Sequence, residues 1–219
     1  MLIRTLLGVR NNTSMVLCHI ESGIKEIDIL IKEKRKNYFM KKFTSLDMDT
    51  SLIQVYFTCR HYNSRGYKFI HMCMNENIPN PIEKQKEIIY NCQNNATKFI
   101  TYKNILNPDL TVHNIYSLSS KNYIPDYLRT AFTRLRLMSH NLQVEKGRWT
   151  RPKTAIENRV CSCDDRSIQD EVHVLLNCQK TLNLRRTMMN NNYSSLKLLL
   201  DGNERSICRY IFEALKKYE

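Results

Sequence analysis

The stretch PDYLRTAFTRLRLMSH, residues 125–140, decides the fold class. Leu128, Ala131, Phe132 and Leu135 stand at i, i+3, i+4 and i+7, and Met138 extends the stripe, the spacing of one face of an amphipathic α-helix. Pro125 and Asp126 suit its start, because proline fixes φ for a first turn and an acid there meets the positive end of the helix dipole. Arg129, Thr133, Arg136 and His140 also recur at helical spacing, with Arg134 beside them. One side is therefore expected to pack and another to present guanidinium groups.

The same period recurs outward along the chain. Downstream, Ile207, Tyr210, Ile211 and Ala214 mark a helix over residues 205–218, after a break at Asn190, Asn191 and Asn192. Upstream, Leu2, Ile3, Leu6 and Leu7 precede a break over residues 8–13, and Thr13 or Ser14 can cap a second short helix that Ser22 and Gly23 end. A long charged helix over 24–46 carries Ile24, Ile27, Leu30, Ile31, Tyr38, Phe39 and Phe43, with the basic run at residues 32–36 reading as a solvated face, or less often as a phosphate contact. Leu52, Val55, Tyr56 and Cys59 form a further stripe, and after Pro79 and Pro81 a helix runs from Ile82 to about Cys92. Residues 93–125 lose periodicity and gain Asn, Ser and Pro, so they read as loops with short helical or extended pieces. Only 5 Gly and 5 Pro in 219 residues agree with a mainly α protein. Three regions follow: helices over 1–78, a helix and linker over 79–122, and over 123–219 a basic helix, a loop, a small zinc-binding lobe and a last helix.

The chain carries 34 Lys+Arg against 21 Asp+Glu, a formal charge of +13, which predicts attraction to a polyanion. No apolar run approaches the length of a membrane-spanning helix, and the N-terminus lacks a signal-peptide cleavage site. An intracellular protein of the nucleus or cytoplasm is expected, its 8 Cys free or metal-bound rather than disulfide-linked.

Charge concentrates in residues 121–160, where nine basic side chains, from Lys121 to Arg159, face three acids, Asp126, Glu145 and Glu157. Within it EKGRWTRPK, residues 145–153, sets the single tryptophan, Trp149, between Arg148 and Arg151. An aromatic ring among cations can stack on an unpaired base while the cations hold the backbone; it can equally anchor a loop to the core. Arg129, Arg134, Arg136, Lys146, Arg148, Trp149, Arg151 and Lys153 are the candidate contacts to RNA or single-stranded DNA.

Next comes RVCSCDDRSIQDEVHVLLNC, residues 159–178. Cys161, Cys163, His173 and Cys178 offer a Cys₃His set, which suits one structural zinc with no open position for chemistry. His-x₄-Cys can place one ligand near a helix start and another about a turn later, whereas C-x-C is tighter than the usual C-x₂₋₄-C knuckle. A second group, Cys59 and His61 with His71 and Cys73, reads instead as helix-stripe and turn residues.

Residues 128–152, LRTAFTRLRLMSHNLQVEKGRWTRP, followed by the cysteine stretch, resemble the segment after the polymerase in non-LTR (LINE-type) retrotransposon reverse transcriptases. Those tails carry a similar LR-hydrophobic-SH-x-L-x-x-E-x-GR run, a Cys cluster and E-x-H-x₄-C. The early RTLLGVRNNTSMVL is also similar to the region between polymerase and tail. The resemblance implies a zinc-binding, nucleic-acid-contacting appendage with Cys161, Cys163, His173 and Cys178 as ligands, and possible docking on the element's own polymerase domain. The chain departs from the pattern in its C-x-C pair and in Asp164, where glycine is common. It also lacks the paired aspartates of a polymerase after an aromatic residue: neither Asp47 and Asp49 nor Asp164 and Asp165 fit. With no P-loop, G-x-S-x-G or H-E-x-x-H present, no enzyme is expected. The competing expectation is a helical scaffold that docks on a protein through the apolar faces of the early helices.

Overall fold

The computed structural model describes residues 2–44, 50–78, 80–92, 97–116, 124–189, 193–202 and 205–218. The chain is 67% helical and, among the described residues, forms no strand or sheet, so the class is mainly α. In chain order the α-helices are α1 (Leu2–Leu6), α2 (Met15–Ser22), α3 (Ile27–Thr44), α4 (Thr50–His61), α5 (Arg65–Asn75), α6 (Pro81–Tyr90), α7 (Thr97–Thr101), α8 (Asp126–Arg136), α9 (Gln143–Trp149), α10 (Leu182–Met188), α11 (Leu196–Asp201) and α12 (Arg205–Lys216). Readings that fall on Asp47, Asp49, Pro79, Lys121, residues 190–192 and the side chain of Leu52 lie outside the described residues. The chain divides into two compact units, Met1–Ile24 with Gln85–Glu219, and Lys25–Lys84.

The larger unit is built on α8. Leu128, Phe132, Leu135 and Met138 are all at most 2% exposed, as their spacing demands, and α12 lies against α8 with Ile207, Tyr210, Ile211 and Ala214 buried. Burying such side chains contributes roughly 1.5–3 kcal/mol each. Segments expected to be loops join this core, since Tyr102, Leu106, Leu110 and Ile115 are buried. Gly23 ends α2 in the left-handed conformation (φ 68°), its N–H donating to the His19 carbonyl.

The second face of α8 corrects the sequence expectation. Thr133, Arg136 and His140 are buried rather than presented. Arg136 donates Nε and Nη2 to the Glu21 carboxylate and Nη1 to the Leu106 carbonyl at 3.0 Å. Tyr102 Oη donates to the same carboxylate at 2.6 Å, and Asn107 Nδ2 donates to Tyr102 at 2.8 Å. A guanidinium in this position neutralises a buried acid and, at 2% exposure, lies out of a phosphate's reach. His140 accepts the Leu142 N–H on Nδ1 and therefore donates Nε2–H to Glu171 at 2.9 Å.

Gly8 ends the first helical segment at φ 64°, where an added Cβ would stand 2.8 Å from Thr130 Cγ2 on α8. Gly8→Ala is expected to lose about 1–3 kcal/mol in denaturant unfolding, from the positive φ and the clash together. Thr130→Ser in the same chain should recover part of the loss, because it removes the clashing methyl. Wild-type stability in Gly8→Ala alone would contradict this packing.

The smaller unit packs α3 on α5 and α4 on α5. Glu76, at the end of α5, holds Lys32 at 3.0 Å and Arg35 at 2.9 Å, and its carbonyl accepts Lys36 Nζ at 2.9 Å. Hydrogen bonds from Lys32 and Arg35 hold the Glu76 carboxyl below its ordinary range. Three of the basic side chains over 32–36 are thus tied within the fold. Phe39 meets Phe69 edge-on at 6.3 Å, and Phe43 lies 4.7 Å from Tyr56. The apolar stripes read from the sequence are otherwise open: Ile27, Ile31, Tyr38 and Val55 are each more than half exposed.

Candidate metal centre and basic groove

Two elements bring the metal-ligating side chains together. The first is a knuckle over 159–169, closed by an antiparallel bridge between Val160 and Ile168. In it the Cys161 N–H donates to the Ser167 carbonyl at 2.7 Å, and the Asp165 N–H donates to the Cys161 carbonyl at 2.9 Å. Asp165 takes the left-handed conformation (φ 53°), which aspartate tolerates better than most residues. Asp164 accepts the N–H groups of Arg166 and Ser167 at 3.1 and 3.0 Å; the Ser167 hydroxyl first, and then these two bonds, push its carboxyl well below the usual range. The aspartate pair therefore builds the turn that a glycine would otherwise ease.

The second element starts where Asp170 Oδ1 accepts the His173 N–H at 2.7 Å. Residues His173–Asn177 then follow a π-helical turn, closed by the Cys178 N–H on the His173 carbonyl at 2.7 Å. In an α-helix, residues five apart point to different sides; an i→i+5 turn sets them one above the other. That is why His-x₄-Cys serves as a ligand pair here.

Cys161 Sγ and Cys178 Sγ stand 3.7 Å apart, and Cys163 Sγ stands 3.2 Å from His173 Nε2. All four ligand atoms lie within 4.8 Å of one another, an arrangement that can hold one metal ion. Cys161 and Cys178 are buried, Cys163 and His173 half-buried. Burial and the hydrogen bonds from Cys161 and Cys178 push the Cys163 thiol up to about 12. Burial works against the Cys178 thiolate too, but the Tyr218 hydroxyl and the Lys180 N–H hold its pKa below the ordinary value. Three thiols so close cannot all ionise without a cation among them. Among the described residues, Cys59, His61, His71 and Cys73 form no such group.

Tyr218 is the member the sequence did not announce, since it follows Cys178 by forty residues. Its Oη lies 2.9 Å from Cys178 Sγ and 3.8 Å from Cys161 Sγ. Burial and the thiols raise its pKa above the ordinary phenol value, so it stays a donor. Tyr218→Phe is expected to weaken metal binding about tenfold in competition with a chelator, the usual effect of losing an outer hydrogen bond to a ligand. Unchanged affinity would make the contact mere packing.

The basic residues divide. Arg148, Trp149, Arg151 and Lys153 come together, with Lys98 and Arg159, around an open groove of about 760 Å³ whose lining contains no acid. Trp149 is 52% exposed, with Lys98 Nζ 5.9 Å above its ring. Beneath the groove, buried Glu145 pairs with Lys98 at 2.5 Å and with Arg148 at 3.0 Å, fixing both cations. Arg159 donates to the carbonyls of Thr154 and Val144 and so closes the loop onto α9. Gly147 makes room for that arginine, because a Cβ there would come 2.5 Å from Arg159 Nε. Arg151 and Lys153 are exposed.

The other four candidates lie elsewhere. Arg129 pairs with Asp126, Arg134 donates Nε to the Gly8 carbonyl at 2.7 Å, Lys146 reaches the Tyr218 carbonyl at 3.4 Å, and Arg136 is buried. Lys121 lies outside the described residues. No family model, curated protein or solved structure matches this chain. Among the described residues no helix is long and apolar enough to cross a membrane.

Proposed function

We propose that this chain is a nucleic-acid-binding tail of the kind that follows the polymerase in LINE-type retrotransposon reverse transcriptases, shaped by one structural zinc ion and carrying no polymerase chemistry of its own. It acts inside the cell, on RNA or single-stranded DNA. The observation that carries this reading is the half-exposed Trp149 in an acid-free groove beside Arg151 and Lys153. Every base has a face that stacks on an indole, and exposed cations beside it can follow the phosphates without reading sequence.

Zinc fits the donor set. Around a tetrahedral Zn²⁺ with bonds of about 2.3 Å to sulfur and about 2.0 Å to nitrogen, two sulfurs stand about 3.8 Å apart and sulfur and nitrogen about 3.5 Å apart. The thiols of Cys161 and Cys178 stand at 3.7 Å and Cys163 and His173 at 3.2 Å, each within a few tenths of an ångström of these spacings, and all four atoms lie within 4.8 Å of one another. An ion there ties the knuckle to the π turn directly behind the basic loop.

Binding to a single-stranded oligonucleotide is expected to weaken steeply with salt, as counterions return to freed phosphates. Trp149→Ala should cost about 1–3 kcal/mol of affinity, and Arg151→Gln should lower the salt slope by about one. A flat salt response contradicts the proposal. A second reading, docking on the polymerase domain of the same element, is favoured by the open apolar side chains Ile27, Ile31, Val55 and Phe57 of the smaller unit. Chains altered only at those positions would then keep oligonucleotide affinity and lose the domain.

A further inference from the structure

A second concave site lies in the larger unit, and it shares no lining residue with the Trp149 groove. It encloses about 400 Å³ between α8, the segment 139–141 and the end of α12, a size that suits a small organic ligand. Three cations line it, Arg10, Arg134 and Lys216, and no acid does. Glu171, the nearest acid in the hydrogen-bond chain behind it, is turned toward His140.

The charged side chains offered to this pocket carry only donors. Arg134 uses only Nε on the protein, so both terminal nitrogens are without a partner among the described residues. Arg10 donates Nη2 to Asn141 Oδ1, which leaves its own Nε and Nη1 and the Asn141 amide N–H₂ as donors. Lys216 Nζ and the Thr130 hydroxyl likewise have no partner among the described residues. Forked guanidiniums and an ammonium around one cavity match a doubly charged oxyanion, whose several acceptor oxygens take more than one donor each. Beside them stands an apolar wall, with Tyr127 56% exposed and its ring edge-on to Phe212 at 5.1 Å. A planar ring can lie there while its phosphate meets the cations.

We propose that this pocket binds the phosphate monoester of a nucleotide, whether free or at the end of a strand. It stands apart from the nucleic-acid reading, because none of its residues contributes to the groove.

Calorimetric titration of the full chain with adenosine monophosphate, adenosine and inorganic phosphate tests it. The nucleotide is expected to bind about tenfold or more tightly than adenosine, and tighter than phosphate, for want of the ring. Lys216→Gln, which removes a cation with no structural partner, and Arg134→Gln should each weaken the nucleotide about tenfold. Trp149→Ala should leave it unchanged. A competition arm separates the two sources: displacement by a 5′-phosphorylated oligonucleotide better than by its 5′-hydroxyl twin marks a strand end, and equal displacement marks the free nucleotide. The proposal is overturned if the nucleotide binds no better than adenosine, or if neither Lys216→Gln nor Arg134→Gln alters its binding.

Discussion

Arg136→Met is expected to cost about 3–5 kcal/mol of unfolding free energy, the effect of leaving one partner of a buried ion pair uncompensated. Arg136 and Glu21 are at most 2% exposed, and the arginine makes all its hydrogen bonds inside the fold. Without it the carboxylate would lose its one cationic partner among the described residues and keep neutral donors such as the Tyr102 hydroxyl. Changing both partners to methionine should recover part of the loss, because a well-packed apolar pair removes the desolvation penalty along with the attraction. Arg129→Met provides the contrast. Its partner Asp126 is largely exposed, and such surface pairs contribute about 0–1 kcal/mol. Denaturant melts of the four proteins check the set; equal losses for Arg136 and Arg129 would mean that the buried pair does not anchor α8.

The other large effect concerns the metal. Chelation, or Cys178→Ser, is expected to release the 159–178 segment, since structural zinc in small lobes contributes on the order of 10 kcal/mol to folding. The consequence should spread inward. Val174 and Leu175 of the π turn are fully buried, and the Leu175 carbonyl accepts the Tyr210 hydroxyl from α12 at 2.5 Å. Alkylation gives a direct readout. Cys161 and Cys163 should resist a thiol reagent until chelator is added, then react together, while the melting temperature falls. Immediate reaction of Cys161 or Cys163 in the untreated protein would point to a free, reactive cysteine instead.

Some of this was legible from residue order alone. Scarce glycine and proline, with the stripe from Leu128 to Met138, sufficed for a mainly α fold and for the packed side of α8. The cysteine and histidine spacings named four side chains that do meet. What the spacings could not convey is long-range. Arg136 shares its helical face with Arg129 and looks solvent-bound, because arginine is seldom buried unless paired; its partner Glu21 stands 115 residues away. Tyr218 carries no local signal of its place beside Cys178. The i→i+5 turn at His173 is a backbone conformation to which helical periodicity is blind. Glu145 was within reach, since an acid three residues before Arg148 on a helix is a ready ion pair. In the smaller unit the stripes were real patterns, but a pattern does not say whether a partner covers it.

Metal content of the purified chain tests the central claim most directly. About one zinc per chain is predicted, falling to none in Cys178→Ser and in Cys163→Ser, since a Cys₃His site holds a single ion and needs both halves. A metal-free wild-type chain would contradict it, as would zinc that survives both substitutions.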